Sequence, residues 1–305
     1  MKNRKSWCVE STTLRHRLLG STILSIVLGL SFANVSYGQG ASEPAPVSGS
    51  RVADQQPKMK GIGEAALTLI PTTDEFMGAV KSGQVQAVKD LLARGVDVNA
   101  TQKHGVTALM NAAAKGYLGV AEALLANPTL DVNAKDRDGW SVLFYSLSDE
   151  NVEMTRLLLN QPQLDVNAKD LMGLSALSWA VLNGEQGVVS ALISSPEIEV
   201  NQTDAVGRTP LMWAALKCRA KVAAVLLNQE MIPHPVVDVN AVDAKGRSAL
   251  MWAAKSGCVD VVELLMAQES IELEAQDADG NTALRHAIKS GHRGVADFLN
   301  KYRYL

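Results

Sequence analysis

The sequence predicts an all-α repeat solenoid of about seven helix–turn–helix units. Three observations lead there. Polar N-cap-like residues recur at Asp74, Thr107, Ser141, Ser175, Thr209, Ser248 and Thr282, in steps of 33, 34, 34, 34, 39 and 34 residues. Each is followed by two short apolar-periodic runs separated by a turn, so each unit needs neighbours to bury its apolar face. The composition is 47% hydrophobic but only 5% aromatic. Ala and Leu dominate it, which suits close-packed short helices better than a β-sandwich.

The stretch 208–227 shows the logic of one unit. Thr209 is an N-cap residue, and Pro210 occupies the first helical position, where a missing N–H costs nothing. Leu211, Ala214 and Ala215 recur at helical spacing, and Val222, Val225 and Leu226 do so after the turn. Neither helix is long enough to stand alone.

Ahead of the repeats, residues 1–17 are basic and polar, and Leu18 to Ala33 form an apolar run. Ser36 and Gly38 stand in a −3/−1 relation to a cut before Gln39, with Ser31 and Ala33 as a second option. Residues 1–38 are therefore expected to be a cleaved secretory signal peptide, with an uncleaved anchor as the alternative. The run is shorter than the ~20 residues that usually span a bilayer. Cys8 leaves with this leader, and no Cys follows the apolar run to carry a lipid anchor. The expected location is periplasmic or secreted, with no stable membrane insertion after cleavage. Residues 39–72 are expected to be a flexible linker, rich in Gly, Ser, Pro, Gln and Ala up to residue 60. Within it Glu64 to Ile70 is apolar again, room for a short helix over the first repeat that Pro71 would stop.

Charge narrows the partners. The chain carries −3 overall, but Lys2, Arg4, Lys5, Arg15 and Arg17 against Glu10 make the leader +4, so a chain without it carries −7. A mildly acidic protein argues against nucleic acid or anionic lipid as the main partner.

The repeat domain spans residues 73–305. Its copies are 74–92, 107–125, 141–159, 175–193, 209–227, 248–266 and 282–300. Between them lie D-V-N-A segments (Asp97, Asp131, Asp165 and Asp238 begin them), with variants at Glu199 and Glu272, and D-x-x-G turns such as Asp136–Gly139. The period and the T-P-L-x-x-A core, as in Thr209-Pro-Leu-Met-Trp-Ala214, resemble the ankyrin repeat. Each first helix is then expected to pack its Leu (109, 143, 177, 211, 250, 284) and paired small residues against its neighbours. Each second helix supplies a Leu pair such as Leu91/Leu92, Leu124/Leu125 or Leu226/Leu227. Gly83, Gly116, Gly184, Gly257 and Gly291 permit positive φ between helices. Copy three, with Ser146-Leu147 for Ala-Ala and Glu150 for the turn Gly, should be the least regular internal repeat. Copy five carries an insertion, residues 230–237, expected to be a stiff protruding loop.

No catalytic motif is present: no phosphate loop after a strand, no H-E-x-x-H, no G-x-S-x-G. The His spacings (His104, His234, His286, His292) suggest no metal site, and no cofactor is expected. Cys218 and Cys258 fall on adjacent turn positions of neighbouring repeats. An oxidising compartment makes a bridge worth weighing. Stacked turns in this family lie ~10 Å apart, however, while a bridge needs Cα atoms within about 7 Å, so two separate side chains are expected.

The resemblance implies finger-like β-turns and a concave face built from them and the first helices. The second x of T-P-L-x-x-A, variable in the family, reads Asn111, Tyr145, Trp179, Trp213, Trp252 and His286. Such aromatics are expected as binding anchors, the alternative being that they stack on one another and stiffen the array. The finger tips read Arg137, Asp138, Trp140; Leu171, Met172, Leu174; Ala205, Val206, Arg208; Ala244, Lys245, Arg247. The middle of that series is apolar where solvent-facing turns are usually polar, with charges at the rim.

The expected protein-binding residues are thus Trp140, Tyr145, Leu171, Met172, Leu174, Trp179, Val206, Arg208, Trp213, Arg247 and Trp252. The resemblance implies a non-catalytic monomer that binds another protein, an exported or periplasmic enzyme, as an inhibitor or immunity protein of, for example, a cell-wall hydrolase. The alternatives are a periplasmic scaffold or chaperone for an exported enzyme, and a glycan- or peptidoglycan-binding module.

Overall fold

A computed structural model of the chain describes residues 71–148, 151–228 and 236–302. The expected signal peptide, the linker up to residue 70 with its Glu64–Ile70 helix, the turn at Glu150 and most of the copy-five insertion lie outside the described residues.

The described residues form 14 α-helices in consecutive pairs. They are α1 (Thr73–Lys81) and α2 (Val85–Ala93), α3 (Ala108–Lys115) and α4 (Leu118–Leu125), α5 (Val142–Tyr145) and α6 (Val152–Leu159), and α7 (Ala176–Asn183) and α8 (Gln186–Ile193). The remaining pairs are α9 (Pro210–Leu216) and α10 (Ala220–Leu227), α11 (Ala249–Ser256) and α12 (Val259–Met266), and α13 (Ala283–Lys289) and α14 (Arg293–Tyr302). Seven helical hairpins stand where seven copies were expected, and the fold is an all-α repeat solenoid.

Hydroxyl caps start the first helices. The side chains of Thr107, Ser175, Thr209, Ser248 and Thr282 accept from the N–H three residues on, at 3.2–3.4 Å. The first copy departs from expectation: its cap is Thr72, which accepts from Glu75 N at 3.2 Å. Asp74 lies inside the first turn, where its charge favours the positive end of the helix dipole. Ser141 makes no capping bond, and its buried Oγ has no partner among the described residues. Copy three is indeed the least regular, since α5 has four residues. Ser146 and Thr155 are both fully buried there and bond each other at 3.1 Å, which satisfies the polar atoms that replace the small apolar pair.

At the turn, Gly83, Gly116, Gly184, Gly257 and Gly291 have φ between +68° and +83°, the left-handed region that lets the second helix reverse direction. The helices pack through Leu109, Leu143, Leu177, Leu211 and Leu250, each at most 1% exposed, and through Ala pairs such as Ala214/Ala215 and Ala253/Ala254. Leu284, in the last described copy, is half-buried. Of each second-helix Leu pair, the first (Leu91, Leu124, Leu226) is buried and the second is half-buried.

The D-V-N segments tie the repeats together. Asn99 donates through Nδ2 to Thr129 O at 2.7 Å and accepts at Oδ1 from Asp131 N at 2.8 Å. Asn133, Asn167, Asn201 and Asn240 repeat the same two bonds to the next unit. The step from Asn201 reaches Val236, near the end of the insertion, and Asp238, just past it, so the insertion leaves the stacking register intact.

Cys218 and Cys258 form a disulfide, contrary to expectation. Their Cα atoms are 5.1 Å apart. A Cα separation within about 7 Å allows the bridge, and the two cysteines do not occupy equivalent turn positions. Cys218 takes the left-handed turn position, with φ +53°, where five of the other copies have Gly. Cys258 lies one residue past Gly257, the corresponding position in the next copy, and its side chain reaches back.

Candidate functional site

Each D-x-x-G turn folds as a finger around its Asp. Asp136, Asp170, Asp204, Asp243 and Asp277 are buried. One carboxylate oxygen, Oδ1, accepts from the backbone N–H groups two and four residues on. For Asp170 these are Met172 N at 2.8 Å and Leu174 N at 2.9 Å. Neighbouring fingers are joined by backbone bonds: Arg137 N to His104 O (2.8 Å), Leu171 N to Asp138 O (3.2 Å), Ala205 N to Met172 O (3.3 Å), Ala244 N to Val206 O (3.0 Å) and Ala278 N to Lys245 O (2.9 Å). The finger glycine is required at this approach. A Cβ on Gly173, at φ +76°, would stand 2.8 Å from Ala205 N. The result is a continuous row of fingers with its backbone held from both sides.

The second carboxylate oxygen explains the aromatics. Asp136 Oδ2 accepts from Tyr145 OH at 2.6 Å, Asp170 Oδ2 from Trp179 Nε1 at 2.8 Å, and Asp243 Oδ2 from Trp252 Nε1 at 3.1 Å. Asp277 Oδ2 and His286 Nε2 pair at 2.7 Å. In every case the partner lies nine residues after the Asp. The expectation that this position stands open in the groove is therefore corrected. Trp179, Trp213 and Trp252 are buried, at 5%, 0% and 8% exposure. Trp179 and Trp252 lie under the fingers because the Asp at each of their finger bases draws a donor from the first helix.

Copy five is the exception. Arg208 Nε takes Asp204 Oδ2 at 3.1 Å. Trp213 then finds no acceptor for Nε1 among the described residues, and Arg208 Nη2 finds none either. The Arg208 guanidinium instead stacks 4.2 Å from the Trp213 ring centroid. Arg208 is 2% exposed, so it is a buried ion-pair partner rather than the rim charge expected. Burial lowers its pKa, opposed by the Asp204 charge and hydrogen bond. Arg247 holds the equivalent place on Asp243 at 2.8 Å and is half-buried.

Trp140 is half-buried and touches Phe144, Tyr145 and Trp179, its ring centroid 5.3 Å from that of Trp179. Burial pushes the Tyr145 hydroxyl strongly up, helped by the Asp136 carboxylate. Burial also raises the Asp170 carboxyl, against lowering bonds from Trp179, Leu174, Met172 and Trp140.

What remains open to solvent is the finger row itself. Leu171 is 77% exposed, Ala205 and Ala244 are exposed, and Met172 and Val206 are half-buried. Leu174 is buried at the finger base. Of the residues expected to bind, Leu171, Met172, Val206 and Arg247 share this accessible row, Trp140 and Tyr145 border it, and Leu174, Trp179, Arg208, Trp213 and Trp252 support it from below. The sequence marks the D-x-x-G turns but not the role of their aspartates as acceptors, whose signal is the constant nine-residue spacing to the aromatic series. Among the described residues, no group of three or more His, Cys, Asp or Glu is placed to hold a metal ion, and no helix is long and apolar enough to cross a membrane.

Comparisons with known proteins agree with this architecture. No curated protein matches the chain significantly. Among solved structures, the chain is similar to the ankyrin repeat domain of Bcl-3, described as a unique member of the IkappaB protein family. That match has 24% identity and a TM-score of 0.65, over 74% of this chain and 97% of that one. It is also similar to the human ASB11 ankyrin repeat domain, with 24% identity and a TM-score of 0.58 over 73% and 96% of the two chains. At that identity both relate the fold alone. A family model described as ankyrin repeats matches residues 76–170, 163–235 and 229–304. Repeats of this kind form protein-binding scaffolds. With most of its length matched in this way, the chain belongs to the ankyrin-repeat family.

Proposed function

We propose that the chain is an exported, non-catalytic module that grips a partner protein with the finger row of repeats three to six. The observation that carries this reading is the exposed apolar tip Leu171, flanked by Met172, Ala205 and Val206 on fingers whose backbones bond one another. An apolar patch on a rigid support loses little entropy when it docks. The buried indoles of Trp179 and Trp252 serve the same end from below by fixing their finger bases. Their burial also removes the ring faces that a glycan would stack on.

Export rests on the basic-then-apolar leader and is supported by the Cys218–Cys258 bridge, since disulfides persist in oxidising compartments. The partner in this reading is an exported enzyme, inhibited or neutralised by the module. Scaffolding or chaperoning such an enzyme is the alternative.

The test is affinity capture from a periplasmic extract, with wild-type chain and the Leu171→Asp/Met172→Asp variant as baits and mass spectrometry as readout. One enzyme retained by the wild type and lost from the variant is expected. Equal retention by both baits sinks the finger row as the contact. The captured enzyme's activity, with and without the chain, then separates inhibition from scaffolding.

A further inference from the structure

Charge is segregated across repeat six. On the second-helix side, Asp260 and Glu263 of α12 and Glu269 and Glu272 beyond it are all exposed. The fingers and first helices carry the opposite sign, with Lys245 and Arg247 on one finger, Lys217, Lys255 and Lys289 at the ends of α9, α11 and α13, and Arg208 buried below. The cations converge on one indole: Arg247, Lys255 and Arg208 lie 4.0, 5.3 and 5.9 Å from the Trp252 ring centroid.

The acids of the same elements do not answer them at the surface. Asp204, Asp243 and Asp277 are buried and saturated by finger donors. Asp279, at the last finger tip, is exposed. Among the described residues, Lys217, Lys245 and Lys255 make no ion pair. The ammonium groups of Lys217 and Lys255 are both held below the usual lysine range. Burial is the main cause, followed by Arg219 and Arg208 for the first, and by Arg247 and Lys245 for the second. Such a groove is short of negative charge although the chain as a whole is negative, at −3.

We infer that the groove of repeats five to seven, centred on Trp252, receives an acidic polypeptide segment of the protein partner. This rests on the protein-binding reading above and names the chemistry of the partner. Carboxylates would meet Lys245, Arg247 and Lys255, while apolar side chains of the same segment meet Val206 and Met172 on the neighbouring fingers. Nucleic acid fits less well. A single strand is gripped by stacking its bases on exposed aromatic faces, and Trp213 and Trp252 are buried.

The probe is a short fluorescein-labelled peptide of alternating glutamate and leucine, titrated with the full chain and read by anisotropy. Saturable binding that weakens as salt rises is expected. Lys245→Glu/Lys255→Glu should weaken it by about tenfold or more, and Lys245→Gln/Lys255→Gln by less. Lys221→Glu, on the exposed side of α10, makes the same kind of charge change elsewhere and should leave binding unchanged. Unaltered melting of the groove variants shows that they fold. Absence of peptide binding, an equal loss in Lys221→Glu, or tighter binding of an oligothymidylate than of the peptide overturns the inference. Weakening by Leu171→Asp with none by the lysine variants overturns the groove while leaving the finger-row reading standing.

Discussion

Trp179 Nε1 donates to Asp170 Oδ2 at 2.8 Å, from a ring that is 5% exposed. This bond joins helix α7 to the base of its finger, and it makes Trp179 a structural residue first. Trp179→Phe should keep most of the packing but leave Asp170 one donor short, at a cost of about 1–3 kcal/mol. Trp179→Ala should cost about 3–5 kcal/mol. Urea denaturation followed by circular dichroism reads both. A Trp179→Ala chain as stable as wild type would mean the indole is not buried as described.

In copy five the ion pair replaces the indole bond. Asp204→Ala leaves the Arg208 guanidinium, 2% exposed, without its counter-charge, and should cost about 3–5 kcal/mol. Replacing both, as Asp204→Ala/Arg208→Met, should recover part of that loss. The double-mutant cycle from the same denaturation curves decides it, and strict additivity of the two single changes would count against a coupled buried pair.

The Cys218–Cys258 bridge closes a loop with a sequence separation of 40 residues. Reduction should lower stability by about 2–4 kcal/mol. Because Cys218 sits at φ +53°, a bridge-free chain with Gly at that position should be more stable than one with Ala. Cys218→Gly/Cys258→Ala should exceed Cys218→Ala/Cys258→Ala by about 1–2 kcal/mol. Equal melting of the two variants would show that the left-handed conformation relaxes once the bridge is gone.

Asp277 supplies a pH dependence. Burial pushes its carboxyl up, but bonds from Asn281 N–H, the His286 ring and Asp279 N–H outweigh that, and the net pKa is lowered. The unfolded carboxyl titrates near ~3.9. A carboxyl lowered by folding contributes stability that is fully present above the unfolded value and lost as pH falls through the folded one. Wild type should therefore be more stable than Asp277→Asn at pH 6, with the gap closing at lower pH. A gap of constant size from pH 6 to pH 2 would remove Asp277 as its source.

Much of the architecture was legible from residue types with local consequences. Gly116 and Gly184 announce the inter-helix turn because only glycine takes that φ readily, and Thr209-Pro210 announces a helix start because cap and ring geometry are properties of adjacent residues. The cap at Thr72 was misread as Asp74 because α1 starts two residues earlier than the repeat alignment implies. The aromatic series was legible as a pattern but not as a role. Whether Trp179 faces solvent or a carboxylate depends on how far the Asp170 finger folds back over α7, and no local rule states that.

The sequence by itself determined the number of repeats, their period, the helix pairs and the family, because periodic Leu, Ala, Gly and cap residues act within one unit. Only the tertiary structure decided which side chains of the finger row remain exposed, that Arg208 rather than Trp213 holds Asp204, and that Cys218 meets Cys258. Those three outcomes depend on the offset between neighbouring units, which is set by the packing of whole repeats against one another.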